Sequence, residues 1–310
     1  MAPRRLRGHG EPIHQNRRPC GPAGDAPGRG ALMRNIDQAT VAGFGEEWSA
    51  YDQAALDSEE RQRLFDEYFS VFPFERLPPD AEGFDMGCGS GRWAALAAPR
   101  VGTLHCIDPA GPALDVARRN LAGQANCRFH LAGVDDIPLP DGSQDFGYSL
   151  GVLHHIPDTE AAMRNCVAKL KPGAPFLVYL YYSLDNRPSW FRGLWKASDF
   201  GRRFIARLPF PARRALTAGI AYSVYWPLAR TAALLERRGR NVTTFPLSAY
   251  RHCSLYTLKT DALDRFGTRL EQRFSRAEIE TMMSNCGLTE IRFREGTPFW
   301  VACGRKAAAA

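Results

Sequence analysis

The stretch "GFDMGCGSGRW", residues 83–93, joins a short apolar run with one acid to three glycines on alternate positions and then to a helical pattern. No other segment restricts the fold as strongly. A strand that turns through glycines straight into a helix leaves its loop backbone open to a ligand and aims the free N–H groups of the helix start at it. A side chain at Gly87, Gly89 or Gly91 would block that approach or demand a strained positive φ. The alternative is a turn that only connects strand to helix.

From residue 83 the pattern alternates strands (83–87, 103–108, 127–133, 145–151, 175–182) with helices (92–98, 110–122, 158–170). Apolar strands alternating with helices predict an α/β fold around a doubly wound, mostly parallel sheet. Ligands in such sheets lie at the carboxyl ends of the strands, beside the switch in strand order. The alternation stops at Ser183 and resumes near Ser275, where "SRAE" is a capping box and two closing strands follow. Four regions are expected: a leader (1–34), N-terminal helices (35–78), the α/β domain (79–182 and 261–306) and a helical insertion (183–260). Within the insertion, "PSWFRGLWKA" and "DFGRRFIARL" read as amphipathic helices. "ALTAGIAYSVYWPLARTAALL" holds a single charge, Arg230, in 21 residues. Three readings stay open for it: a buried cap helix kinked at Pro227, a helix lying in a membrane interface, and a membrane span.

The charge is unevenly placed. Of the net +7, residues 1–34 carry +5 and residues 183–240 carry +9, so the remainder is acidic. A basic insertion on an acidic core suits an anionic acceptor or surface, or is only a solvated face. The leader is rich in Arg, Pro and Gly and has no apolar stretch of the kind a secretory signal needs. An over-extended start, with Met33 as the ordinary one, a disordered tail and an organellar transit peptide are the expectations for it. Eight scattered cysteines show no spacing suited to zinc, so no metal is expected; they read as reduced thiols of a cytoplasmic protein.

A dinucleotide loop wants glycine at its first, third and sixth positions, and the sixth counted from Gly87 is Arg92. The spacing here is G-x-G-x-G behind Asp85. With "IDPAGPALDVARRN", "VDDIPLPDGSQDFGYSLGVLHHIPD" and "KLKPGAPFLVYLYY", it resembles the class I S-adenosylmethionine-dependent methyltransferases, nearest to the small-molecule branch that includes ubiquinone and menaquinone methyltransferases. The resemblance covers about residues 83–182 and the closing strands. It implies a seven-stranded Rossmann-like sheet with an antiparallel last strand, S-adenosyl-L-methionine as methyl donor, and a small-molecule or lipid-linked acceptor. A non-catalytic S-adenosylmethionine-binding regulator and, further off, an NAD(P)-dependent oxidoreductase are the competing readings.

Asp108, ending the second strand, offers two acceptor oxygens to the two hydroxyls of a ribose, with Pro109 beside it; its alternative role is a helix cap. The resemblance further implies that Gly87, Cys88, Gly89, Ser90 and Gly91 cradle the cofactor. It implies that Asp85 acts through the loop amides or indirectly on the cofactor's ammonium, and that Leu150 and Gly151 hold the methionine part by backbone. Gly133 stands where the family carries an adenine-contacting aspartate, so Val134 or the shifted Asp135 takes over. Trp48 and Tyr51 resemble lid residues. His154 and His155, just past the fourth strand, are the candidate catalytic groups that orient or deprotonate the acceptor; packing is their other role. Tyr181, Tyr182, Tyr250 and His252 are secondary candidates. No N-P-P-Y-like tetrapeptide and no aromatic-basic stacking platform is present, so nucleic acid is not expected as partner. A peripheral membrane contact through 183–240 is expected, whereas the oligomeric state is not readable from the sequence.

Overall fold

The structure, a computed structural model, describes residues 35–297 and 299–308, so the expectations for the leader lie outside the described residues. Seven strands, β1 (Glu82–Met86), β2 (Thr103–Asp108), β3 (Cys127–Leu131), β4 (Phe146–Leu150), β5 (Pro175–Tyr179), β6 (Leu288–Phe293) and β7 (Val301–Lys306), lie in the order β3-β2-β1-β4-β5-β7-β6. The first five pair in parallel. β7 runs antiparallel to both its neighbours. The doubly wound sheet is therefore as expected, and its order reverses between β1 and β4.

Both faces of the sheet are covered, which is why its central strands are mostly apolar and buried along nearly their whole length. On one face Met86, Ile107 and Val178 of the strands pack against Met163 of α5 (Thr159–Lys169) and Ile279 of α10 (Arg276–Asn285). On the other, Leu104 and Tyr148 of the strands pack against Phe65 of α2 (Ser58–Phe69), Ala94 of α3 (Ala94–Ala97) and Leu114 of α4 (Gly111–Asn120). The helix expected over 92–98 is only the single turn α3, because Pro99 cannot continue it and a 3-10 turn follows. The capping box is present at Ser275, whose hydroxyl oxygen accepts from Glu278 N while the Glu278 carboxylate accepts from Ser275 N.

β1 and β4 interlock through their glycines. Gly83 stands opposite Phe146 and Gly147 opposite Phe84. A Cβ on either glycine would fall 2.4 Å from the facing ring. Each ring thus fills the space its partner leaves, and the two strands beside the reversal approach without a gap.

The insertion folds as α6 (Ser189–Ile205), α7 (Phe210–Ile220), a π-helical turn (Ala221–Tyr225) and α8 (Trp226–Arg237), followed by α9 (Leu255–Gly267). The two amphipathic segments expected here form one helix, α6, whose second half is braced where Asp199 accepts from Arg202 Nε at 2.6 Å and from Arg203 Nε at 3.0 Å. Pro227, which has no N–H to contribute, falls in the first turn of α8, directly after the π turn. Among the described residues no helix is long and apolar enough to cross a membrane, so the spanning reading is excluded there. Ala221, Tyr225, Ala229 and Ala232 are buried, while Tyr222, Val224 and Leu234 are exposed. The boundary expected between 260 and 261 falls inside α9, which runs through it unbroken.

Gly147→Ala is expected to destabilise the protein by about 1–3 kcal/mol through overpacking against Phe84, read as a lower urea midpoint at unchanged m-value.

Candidate active site

The carboxyl ends of β1, β2, β4 and β5 open into a cavity of about 620 Å³ that continues beneath the insertion. Gly87, Cys88, Gly89 and Ser90 form its wall at the end of β1. Gly89 has φ +54°, and a Cβ there would meet the Trp48 Nε1 at 3.0 Å, so α1 (Gln38–Ala50) lies down on the loop. Asp108 holds this loop in place. Its Oδ2 accepts from Gly89 N at 2.9 Å and its Oδ1 from Ala110 N at 2.8 Å, ahead of the first turn of α4. The carboxyl therefore performs the capping role while also lining the cavity. Burial pushes its pKa up to about 6 against the pull of the two amides.

Pro109, Val134, Asp135, Leu150, Gly151 and Trp48 also line the cavity, as expected. Asp135 accepts from Asn35 N at 2.6 Å, which ties the approach to α1 to the loop after β3. Two expected residues stay off the wall. Gly91 faces α4 instead, where a Cβ would meet the Leu121 Cδ1 at 2.9 Å; it serves the packing of loop on helix. Asp85 points to the opposite side of β1 from Phe84 and Met86, beside Tyr148, because successive strand residues alternate faces. It is 1% exposed, its Oδ2 has no hydrogen-bond partner among the described residues, and burial holds it well above the ordinary carboxylate range.

The two histidines part company. His154 is completely buried, lies off the cavity wall and stacks on Tyr181 with centroids 3.9 Å apart, so its expected contact with an acceptor is replaced by packing. His155 does reach the wall, with its Nδ1 2.6 Å from the Leu270 carbonyl. Tyr181, Tyr182 and Tyr250 line the cavity too, but His252 does not; it bonds Glu236 on the exposed side at 3.0 Å. Tyr51 is buried against Tyr256 rather than on the wall.

Several polar cavity groups escaped the sequence reading. Glu47 sits one residue before Trp48, 4% exposed, and its Oε1 lacks a partner among the described residues. Asp261 and Asp264 project from α9 at helical spacing into the same space. Burial pushes Asp261 up to about 6, opposed by the Arg92 guanidinium. The signal was present in "TDALDRF", whose two acids share a helix face, but the domain boundary was drawn through it.

A donor-rich, partly charged ligand fits this wall. Ser90 Oγ and Glu47 Oε1 are buried on it and lack partners among the described residues, and the glycine loop leaves no side chain in the way. Residues 84–178 match the family model described as a methyltransferase domain. Malonyl-[acyl-carrier protein] O-methyltransferase of Serratia marcescens is 30% identical over 187 residues, which span 60% of this chain and 68% of that protein.

The chain belongs to the class I S-adenosylmethionine-dependent methyltransferases.

S-adenosylmethionine is the methyl donor. This methyltransferase is also 30% identical over 132 residues to a ubiquinone biosynthesis O-methyltransferase of Xanthomonas campestris pv. campestris, 42% of this chain and 52% of that one, so it spans about half of that relative. An S-adenosylmethionine-dependent methyltransferase structure from Methanosarcina mazei aligns with TM-score 0.46 and 17% identity over 76% of this chain and 96% of that chain.

Asp108 and Asp261 give stability a defined pH dependence. Both titrate near 6 in the fold against about 4 in an unfolded chain. The native state keeps their protons where the unfolded chain has lost them, so this contribution is full below pH ~4 and is lost as pH rises through ~6. Asp261→Asn is expected to flatten that fall, checked by urea unfolding at pH 5 and 7.5; an unchanged slope counts against the burial of Asp261.

Proposed function

We propose that the methyltransferase modifies an apolar acceptor delivered from an anionic membrane surface, with residues 183–260 as the cap over the acceptor. The observation that carries this reading is the single cavity that passes from the glycine loop to the inner side of α6. At its cofactor end the Gly87–Ser90 backbone holds the methionine part together with Leu150 and Gly151, Asp108 receives the ribose hydroxyls with Pro109 beside it, and Val134 and Asp135 border the adenine. When bound, the cofactor supplies an electrophilic methyl group. Asp85 and Gly91 act on it only indirectly, through the shape of the loop. Trp48 covers the loop and keeps water from the reacting atoms.

Three sectors of α6 support the acceptor side. Its inner sector places Phe191 and Trp195 on the cavity wall. Its outer sector carries Trp190, Leu194, Phe200 and Phe204, of which Phe200 is 83% and Phe204 67% exposed. Between them Arg192, Lys196 and Arg203 are exposed in a basic strip. Apolar side chains flanked by cations suit the boundary between headgroups and acyl chains. The same helix thus touches bilayer and acceptor, giving a lipid-linked molecule a short way in. Arg187 lines the cavity with no carboxylate paired to it among the described residues, which favours an anionic group on the acceptor.

Two outcomes are expected. In calorimetry, Asp108→Ala weakens S-adenosylmethionine binding by about 1.5–3 kcal/mol; unchanged affinity removes the ribose assignment. In flotation, the protein binds phosphatidylglycerol-containing vesicles in a salt-sensitive way and binds phosphatidylcholine vesicles far less, and Phe200→Ser with Phe204→Ser abolishes binding while leaving cofactor affinity intact. A protein that ignores both vesicles, or that forms a dimer through this face, rules out the membrane reading.

A further inference from the structure

We propose that the group methylated is a hydroxyl, and that Asp264, positioned by His155 and Tyr181, removes its proton. The inference rests on the acceptor lying in the cavity described above and adds to it the identity of the reacting atom.

Asp264 stands on the cavity wall where α9 closes the acceptor end. Its Oδ2 receives the Tyr181 hydroxyl and its Oδ1 the Thr268 hydroxyl at 3.3 Å. The same Oδ1 is 3.9 Å from His155 Nε2. The Leu270 carbonyl can only accept, so the ring proton of His155 resides on Nδ1, and Nε2 presents a lone pair. Nε2 is buried without a hydrogen-bond partner among the described residues. The carboxylate and the imidazole lone pair therefore face each other 3.9 Å apart, and a proton arriving on the carboxylate would draw the two into hydrogen-bond range. His154 stacks on Tyr181 with centroids 3.9 Å apart and packs tilted at 52° against His155 at 4.0 Å, so it touches both rings.

Exposure decides which member meets the acceptor. The Asp264 side chain is 24% exposed and that of His155 only 3%, so a proton from the cavity enters through Asp264. His155 is thus a positioning residue, and the base is a carboxylate from the helix that follows the insertion. Burial and the nearby Glu271 carboxylate raise the Asp264 pKa, while the hydroxyls of Tyr181 and Thr268 lower it. Glu47 and Tyr225 also face it. A carboxylate held above its ordinary range is a stronger base than a solvated one. The His155 ring is kept neutral mainly by burial, so its lone pair remains available.

This arrangement favours an oxygen acceptor. A neutral amine attacks with its own lone pair and releases its proton afterwards, whereas a hydroxyl gains nucleophilicity from losing its proton to a base during attack. The acceptor oxygen forms the new C–O bond with an electron pair, the C–S pair returns to sulfur, and the hydroxyl proton passes to the Asp264–His155 pair. The positive charge that leaves the sulfonium ends as that proton, so charge and atoms balance.

The test uses 4-nonylphenol and 4-nonylaniline as matched probes with methyl-labelled S-adenosylmethionine. Transfer to the phenol is expected, with Asp264→Asn lowering its kcat by about 100-fold or more and removing the rising limb of the pH profile, while calorimetric cofactor affinity changes less than threefold. Tyr181→Phe keeps the rising limb but shifts it. The inference is overturned if the aniline is methylated faster than the phenol, or if Asp264→Asn slows both probes equally. If neither probe is methylated, nitrogen NMR of His155 decides: a neutral ring protonated on Nδ1 at pH 7, whose titration moves in Asp264→Asn, supports the pair, and a ring protonated on Nε2 overturns it. Loss of cofactor binding in the unmutated protein would instead remove the cofactor-site reading, which keeps the two failures distinct.

Discussion

One buried carboxylate organises the cofactor end of this protein. Asp108 accepts from the amide of Gly89 in the loop after β1 and from the amide of Ala110 ahead of α4. Strand β2, the glycine loop and the start of α4 are thus held by two charge-assisted hydrogen bonds from a single side chain. Trp48 rests on the loop so fixed, and α1 spans the cavity from there to the loop after β3, where Asn35 N meets Asp135. If Asp108 gave way, the loop would lose its shape and the cover its seat.

The acceptor end depends in a similar way on α9. Arg213 reaches the Gly267 carbonyl at 3.2 Å and Glu46 at 2.9 Å, and Arg202 reaches the Thr268 carbonyl at 2.9 Å. Buried guanidinium groups from α7 and α6 thereby satisfy carbonyls at the end of α9, where the helix dipole also favours positive charge. Part of the insertion's positive charge is therefore structural and is spent inside the protein. The exposed strip on α6 is what remains for a surface. Because α9 carries Asp261 and Asp264, the same contacts that seat the cap also aim the acceptor-side carboxyls.

Most of the sheet was legible in the residues. Strand positions, the capping box at Ser275 and the glycine loop follow from local periodicity and from turn chemistry that acts over a few residues. The cavity wall at the glycine loop was legible to the same depth, since Gly87, Gly89, Asp108 and Gly151 lie at strand ends that the alternation locates. Asp85 is expected to act on the ligand through the loop amides, and Gly91 to face it, because both belong to the motif. In the fold, strand alternation turns one away, and the approach of α4 claims the other.

The sequence by itself determined the order of elements, the open backbone after β1 and the class of ligand that such a loop admits, because each is written in residues adjacent along the chain. Tertiary structure decided which of two neighbouring histidines reaches the cavity, which arginines are buried as props and which carboxyls line that cavity. His155 and Asp264 are far apart in sequence and 3.9 Å apart in the fold. Such a pairing depends on how α9 packs across the ends of the strands, and long-range packing leaves no periodic trace in the residues themselves.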